Sequence, residues 1–162
     1  MDFKAPRMDD AESRAWLALI ATSELLPAAL DAQLQADAGM THFEFMLLGT
    51  LNLADEQTTR MKRLAEDVHS SLPRLSKAIN RLEERGWVER FECIEDRRAT
   101  NVRLTQAGRR AMILATPKHL DTVRHAVLDR LSRDQLLALA EALEPVVAGL
   151  DPHRRFLRAP AG

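Results

Sequence analysis

At 162 residues, with 46% hydrophobic side chains, the chain is long enough to bury a real core as one domain with extensions. Its single cysteine, Cys93, excludes an internal disulfide, and a formal charge of -1 excludes a chain that is polybasic or polyacidic throughout. There is no run of 18 or more apolar residues and no charged-then-apolar leader, so neither a membrane span nor a secretory signal is expected, and a cytoplasmic protein is the simple inference. Tyrosine is absent while Ala and Leu abound, which favours helix.

Residues 1–10 hold Pro6 and little pattern, and are expected to form a flexible arm. From Ala11 to about Asp37 a helix is predicted, with Trp16, Leu19, Ile20, Leu26, Leu30 and Leu34 as its apolar stripe. Pro27 lies inside it, removes the bond to the Ser23 carbonyl and is expected to kink the helix. A helix so long and apolar needs a surface to pack on, either a second subunit or the chain's own C-terminal helices. Gly39 stops it and Thr41 caps the next, in which Phe43, Met46, Leu47, Thr50 and Leu51 are expected to face inward. After a polar break from Asp55 to Thr58, a short helix over 59–67 supplies Met61, Leu64 and Ala65, with Val68 just beyond.

His69, Ser70 and Ser71 form a turn into a second helix, expected from about Leu72 to Arg85. Ser70 or Ser71 can cap it, and Pro73 sits in the first turn, where its missing N–H would have had no helical partner. Leu75, Ala78, Ile79 and Leu82 fall on one face at helical spacing, and Gly86 stands where a helix end often needs positive φ. Burying that stripe forces Ser76, Lys77, Asn80 and Arg81 to the opposite side, with Arg74 on the flank. These residue types read DNA: Asn bonds adenine, Arg bonds guanine, and Lys, Ser and Arg hold phosphates. Such a face is by itself most often only a solvated one. Trp87, Val88 and Phe91 then read as a strand, 95–98 as a charged loop and 100–104 as a second strand, so the pair makes a β-wing.

Thr105 caps a further helix carrying Ala111, Met112, Leu114 and Ala115, which meets Pro117 and continues through 119–131. Ser132 followed by Gln135 is a capping box opening a last helix, which Pro145 is expected to bend or shorten. The tail 151–162 is expected to fray. Charge is distributed unevenly: residues 1–58 hold 3 Lys and Arg against 10 Asp and Glu, residues 59–110 hold 13 against 8, and residues 111–162 hold 7 against 6. The basic section is the one with helix and wing, as an electrostatic footprint for phosphate requires.

The segments LAEDVHSS, RLSKAINRLEERGWVER and LTQAG, with the wing residues Asp96, Arg97 and Arg98 between the last two, together resemble the winged helix-turn-helix core of the multiple antibiotic resistance regulator (MarR) family. The flanking helices fall in the family's order, so the resemblance covers about residues 10–150. It implies a mainly α fold with a small β-wing, in which a winged helix-turn-helix lobe (41–104) is flanked by dimerisation helices (11–37 and 105–150) within one domain, 11–150. It also implies an obligate homodimer that places one recognition helix per lobe in a major groove. By position, Ser76, Lys77, Asn80 and Arg81 match the recognition surface, Asp96 and Arg98 match the wing's Asp-x-Arg, and Ser71 and Arg74 lie at the helix start, where backbone N–H groups also favour phosphate. Two departures stand out. Pro73 replaces an expected Ser or Thr, and Cys93 lies in the wing strand rather than near the N-terminus, where peroxide-sensing members carry their reactive cysteine, so it reads as a strand thiol.

The expected function is a homodimeric transcriptional regulator, a repressor, on a pseudo-palindromic double-stranded operator, released by a small, apolar or aromatic effector. In the family such a ligand lies between the dimer helices and the DNA lobe. Trp16, Ile20, His42, Phe43 and Met46 are the candidates to line that crevice here, with core packing as the competing role for each. A winged helix used purely for protein interaction is the alternative. An enzyme is not expected, because there is no Gly-rich phosphate loop, no metal-spaced His and Cys cluster and no nucleophile motif, and His119 and His125 are six apart. No cofactor or metal is expected either. Arg98→Ala should weaken binding on all DNA sequences alike, whereas Asn80→Ala should relax preference at one base pair, both measurable by anisotropy on a set of duplexes.

Overall fold

The computed structural model describes residues 7–92 and 99–151. Among them it is mainly helical with a three-stranded antiparallel sheet. Helix α1 (Asp10–Ala38) is opened by Asp9 through a reciprocal capping box with Glu12 and closed by Gly39 at φ 62°. Helix α2 (His42–Leu53) is opened by Thr41 in a second such box with Glu44. Strand β1 (Thr58–Arg60) leads directly into α3 (Met61–Asp67), and α4 (Leu72–Glu84) follows the His69 turn. Strands β2 (Val88–Glu92) and β3 (Thr100–Leu104) form the wing base, and α5 (Gln106–Ala126) and α6 (Arg133–Leu150) complete the chain.

The core sits where α2, α3 and α4 meet the sheet. Leu47, Leu48 and Leu51 from α2, Leu64 from α3, Leu75, Ile79 and Leu82 from α4, and Val102 from β3 are all fully buried. Each such side chain contributes about 1.5–3 kcal/mol relative to exposure, so α4 is held chiefly by its own stripe. Ser71 caps α4 by accepting from the Arg74 N–H. At the other end Gly86, at φ 69°, turns the chain so that the Trp87 N–H donates to the Leu82 carbonyl at 2.9 Å.

Several sequence expectations are revised. Residues 55–60 hold a 3-10 turn and β1 rather than a break and a helix start, because Thr59 pairs with Val102 on β3, a long-range partner that no local pattern reveals. The strand order is therefore β1-β3-β2. On α2, Glu44 and Leu48 are buried, whereas Phe43, Met46 and Thr50 are half-buried. On α5, Leu114 points outward, 69% exposed, and the helix ends at Ala126 instead of running on through 131. Helices α1, α5 and α6 all continue through their prolines, Pro27, Pro117 and Pro145. The expected flexible arm lies largely, and the wing tip wholly, outside the described residues, as does all of the expected frayed tail except Asp151.

Only the C-terminal third of α1 is built into this core, through Leu30 and Leu34, where α1 packs on α5 and α2. By length and composition α1 is apolar enough to cross a membrane, with Trp16, Leu17, Leu19, Ile20 and Leu25 all exposed in the single chain. Helix α6 buries none of its residues.

The start of α5 is pressed against the turn after α4. Thr105 donates its hydroxyl to the Gly86 carbonyl at 2.7 Å, and a Cβ at Gly108 would stand 2.1 Å from the Trp87 carbonyl oxygen. A Cβ at Gly49, inside α2, would meet nothing within 4 Å. Gly108→Ala is therefore expected to destabilise the protein by about 1–3 kcal/mol or more, and Gly49→Ala to stabilise it by roughly 0.5–1 kcal/mol, in urea unfolding curves.

Candidate nucleic-acid interface

The apolar stripe of α4 decides where its polar residues point. With Leu75, Ala78, Ile79 and Leu82 buried, Ser71, Arg74, Lys77, Asn80 and Arg81 are exposed along the other side, and Ser76 is half-buried at its edge. Lys77 and Asn80 make no hydrogen bond or ion pair with any described residue, so both are available to an outside ligand. Asn80 offers a donor and an acceptor side by side, which suits a base edge, while Lys77 offers a point charge.

The two flanking arginines are held by α2. Arg81 donates from Nε to Glu44 Oε1 at 2.6 Å, and the Glu44 side chain is 5% exposed against 53% for Arg81. The second carboxylate oxygen of Glu44 accepts the Thr41 N–H at 2.8 Å, so one buried acid both closes the α2 cap and grips α4. Arg74 lies over the Phe43 ring, 4.4 Å from its centroid. Asp31, Thr41, Phe43, Pro73, Arg74, Lys77 and Arg81 together wall a cleft of about 410 Å³ on this face. Sequence reasoning placed Arg81 on the exposed face but missed its buried partner, which sits 37 residues away.

In the wing base the charges pair internally. Arg90 donates to both oxygens of Glu83 at the end of α4, which holds the Glu83 carboxyl below its ordinary range. Arg103 pairs with Glu89 at 2.5 Å across the sheet. Asp96, Arg97 and Arg98, the expected wing contacts, lie outside the described residues.

On the opposite side of α2 a cavity of about 490 Å³ opens between α2, β1, α3 and α5. Of the residues expected to line a ligand crevice, His42 and Met46 do so; Phe43 faces α4 instead, and Trp16 and Ile20 are exposed on α1 and line no part of it. Phe45, Thr50, Leu53, Arg63 and His119 line it as well. The spacing 42, 45, 46, 49 marks one helix face, so Phe45 was legible once His42 and Met46 had been chosen. His119 comes from α5 and was not. Its ring lies 4.6 Å from that of Phe45 and 5.7 Å from that of His42, and its Nδ1 is 3.3 Å from Gln33 Oε1.

Burial lowers the pKa of His42, opposed by the nearby Asp31 carboxylate, and burial again, reinforced by His42, lowers that of His119. Both imidazoles are thus neutral at pH 7 and more easily protonated in the unfolded chain. Stability from this pair is fully present above the ordinary value of 6.5 and is lost as pH falls below it toward the depressed folded values. Urea unfolding at stepped pH should show this loss, and a His42→Gln, His119→Gln double variant should flatten it. In the interface, Arg81→Ala leaves the buried Glu44 carboxylate without its cation and should cost about 2–3 kcal/mol in the same assay, against roughly 0.5 kcal/mol or less for Lys77→Ala.

The sequence profile of the MarR family matches residues 40–100, the stretch that holds α2, the helix-turn-helix and β2 and ends at the start of β3. The fold superposes on the crystal structure of Sco3205 from Streptomyces coelicolor, a MarR family transcriptional regulator in complex with DNA, with a TM-score of 0.84 and 37% identity over 93% of this chain and 94% of that one. It also superposes on AbsC, a MarR family regulator from the same organism, with a TM-score of 0.82 and 31% identity over 91% and 99%. Among curated relatives, the transcriptional repressor MprA of Escherichia coli K12 is 27% identical over 65% of this chain. The chain spans 57% and 61% of the length of the curated relatives it matches. A helix-turn-helix with a paired wing base, set between these flanking helices and matched at that identity over nearly the whole length of a solved regulator, places the chain in the MarR family of winged helix-turn-helix transcriptional regulators, which are not enzymes.

Proposed function

We propose that the chain acts as a homodimeric repressor that binds a pseudo-palindromic DNA duplex and is released by a small ligand. The observation that carries the DNA reading is the exposed face of α4, where Arg74, Lys77, Asn80 and Arg81 stand opposite four buried apolar residues. Ser71, Ser76 and the wing residues Asp96, Arg97 and Arg98 belong to the same proposed surface. Supporting it, Sco3205 is a relative solved in complex with DNA.

The dimer reading rests on the flanking helices. Leu137, Leu139, Val146, Val147 and Leu150 on α6 and Trp16, Leu17 and Ile20 on α1 are exposed in one chain, more apolar surface than a soluble monomer ordinarily leaves in water. A second copy burying the same helices in return satisfies both at once. In this reading 11–37 and 105–150 are the dimerisation segments and 41–104 the DNA lobe. Two recognition helices related by two-fold symmetry then meet half-sites about one helical turn apart.

The cavity behind α2 is the proposed effector site. Phe45, Met46 and Leu53 suit an apolar or aromatic body, and Arg63 and the neutral His42 and His119 suit one polar head, such as a carboxylate. A winged helix serving protein interaction alone remains the alternative that the following measurement decides.

Fluorescence anisotropy against the duplex upstream of the protein's own gene, beside a scrambled duplex and over a salt series, tests the reading. Tight binding that prefers the native duplex and falls steeply with salt is expected. Absence of any salt-dependent binding at low salt would favour the interaction module. Sedimentation is expected to show a dimer, and aromatic carboxylates titrated into the complex should release DNA less readily from His119→Ala than from the parent.

A further inference from the structure

Two side chains of α2 that do not belong to the recognition helix are placed to govern how it meets DNA. Phe43 and Glu44 are neighbours in the first turn of α2, and each holds one guanidinium of α4: Phe43 beneath Arg74 at 4.4 Å, Glu44 against Arg81 at 2.6 Å. Glu44 is itself locked, because it is buried and its other oxygen accepts the Thr41 N–H. Asp31, the acid that walls the same cleft, is occupied by the His42 N–H at 2.8 Å and by the Gln35 side-chain amide. Neither arginine has a further partner among the described residues besides the Ser71 cap on the Arg74 backbone. Arg81 is bonded through Nε, which leaves the terminal nitrogens of a planar fork for an outside acceptor.

A free arginine on a helix surface samples many rotamers and must give them up on binding phosphate. One already stacked or ion-paired through its inner nitrogen has lost much of that freedom beforehand. We propose that Phe43 and Glu44 are positioning residues for DNA binding, which pre-orient Arg74 and Arg81 toward the DNA backbone without touching DNA themselves. This rests on the reading above that this face of α4 meets DNA.

A mutant cycle on DNA affinity, with full-length protein and circular dichroism as the check on folding, tests it. Arg74→Ala and Arg81→Gln should each weaken binding and reduce the salt slope by about one, since each removes a phosphate contact. Phe43→Leu and Glu44→Gln should each weaken binding by about threefold to fivefold with the salt slope unchanged, because the number of cations is the same. Phe43→Tyr keeps the ring face and should bind like the parent. The deciding readout is coupling: Phe43→Leu should have no further effect in the Arg74→Ala background, nor Glu44→Gln in the Arg81→Gln background. Equal losses in both backgrounds, or equal losses for Tyr and Leu at position 43, would overturn the positioning role. Parental affinity and slope in both Arg74→Ala and Arg81→Gln would instead overturn the reading of the face, and the inference with it. If Phe43→Leu fails to fold, the Tyr variant and the Glu44 cycle decide.

Discussion

Burial of Leu75, Ala78, Ile79 and Leu82 is the constraint on which the rest depends. These four residues form the stripe that fixes α4 against α2, α3 and the sheet, and the helix has no second apolar face to offer. Once they are inside, the rotation of α4 is set and its polar side faces out as a unit. The Gly86 turn then delivers β2 beside it, and Arg90 of β2 reaches back to Glu83, so helix and wing base share one frame. The close approach of Gly108 to Trp87 locks α5 onto the same corner. The polar face that α4 turns outward is a by-product of core packing, carried by residues that contribute little to it.

Glu44 is the exception. It is buried yet charged, and a buried carboxylate is tolerated only when its oxygens are engaged. Here one oxygen closes a helix cap and the other meets Arg81, so the acid joins the α1–α2 corner to α4. An aliphatic residue there could pack as well but could not accept a hydrogen bond from a guanidinium.

The sequence made legible what depends on local periodicity and capping. The α4 stripe, the caps at Ser71, Thr41, Thr105 and Ser132, the stops at Gly39 and Gly86, and the strand pair of the wing all rest on residues within a turn or two of each other. What it concealed depends on partners far along the chain. Three-residue β1 has too few positions to show alternation and exists because β3 pairs with it. Thr41 was legible as a cap, but its capping-box partner Glu44 was not singled out, and nothing local announces the hold of Glu44 on Arg81. Leu114 fits the α5 stripe by spacing yet points outward, because that arc of the helix is not covered by any of the described residues. The cavity was half legible, through His42 and Met46 on one face of α2; His119 joins them from across the fold, 77 residues on.

Helix α2 presents one face to the cavity, through His42, Phe45 and Met46, and the opposite side to α4, through Phe43 and Glu44. These residues are interleaved within five consecutive positions, so a displacement felt on one side cannot be hidden from the other. Thermodynamic linkage then gives the arrangement a reciprocal character: a compound that lowers DNA affinity by some factor from the cavity must itself be held more weakly, by that same factor, when DNA is bound. Under the proposed function, a pool of occupied DNA sites would therefore raise the concentration at which such a compound acts, and the threshold of response would depend on the number of such sites.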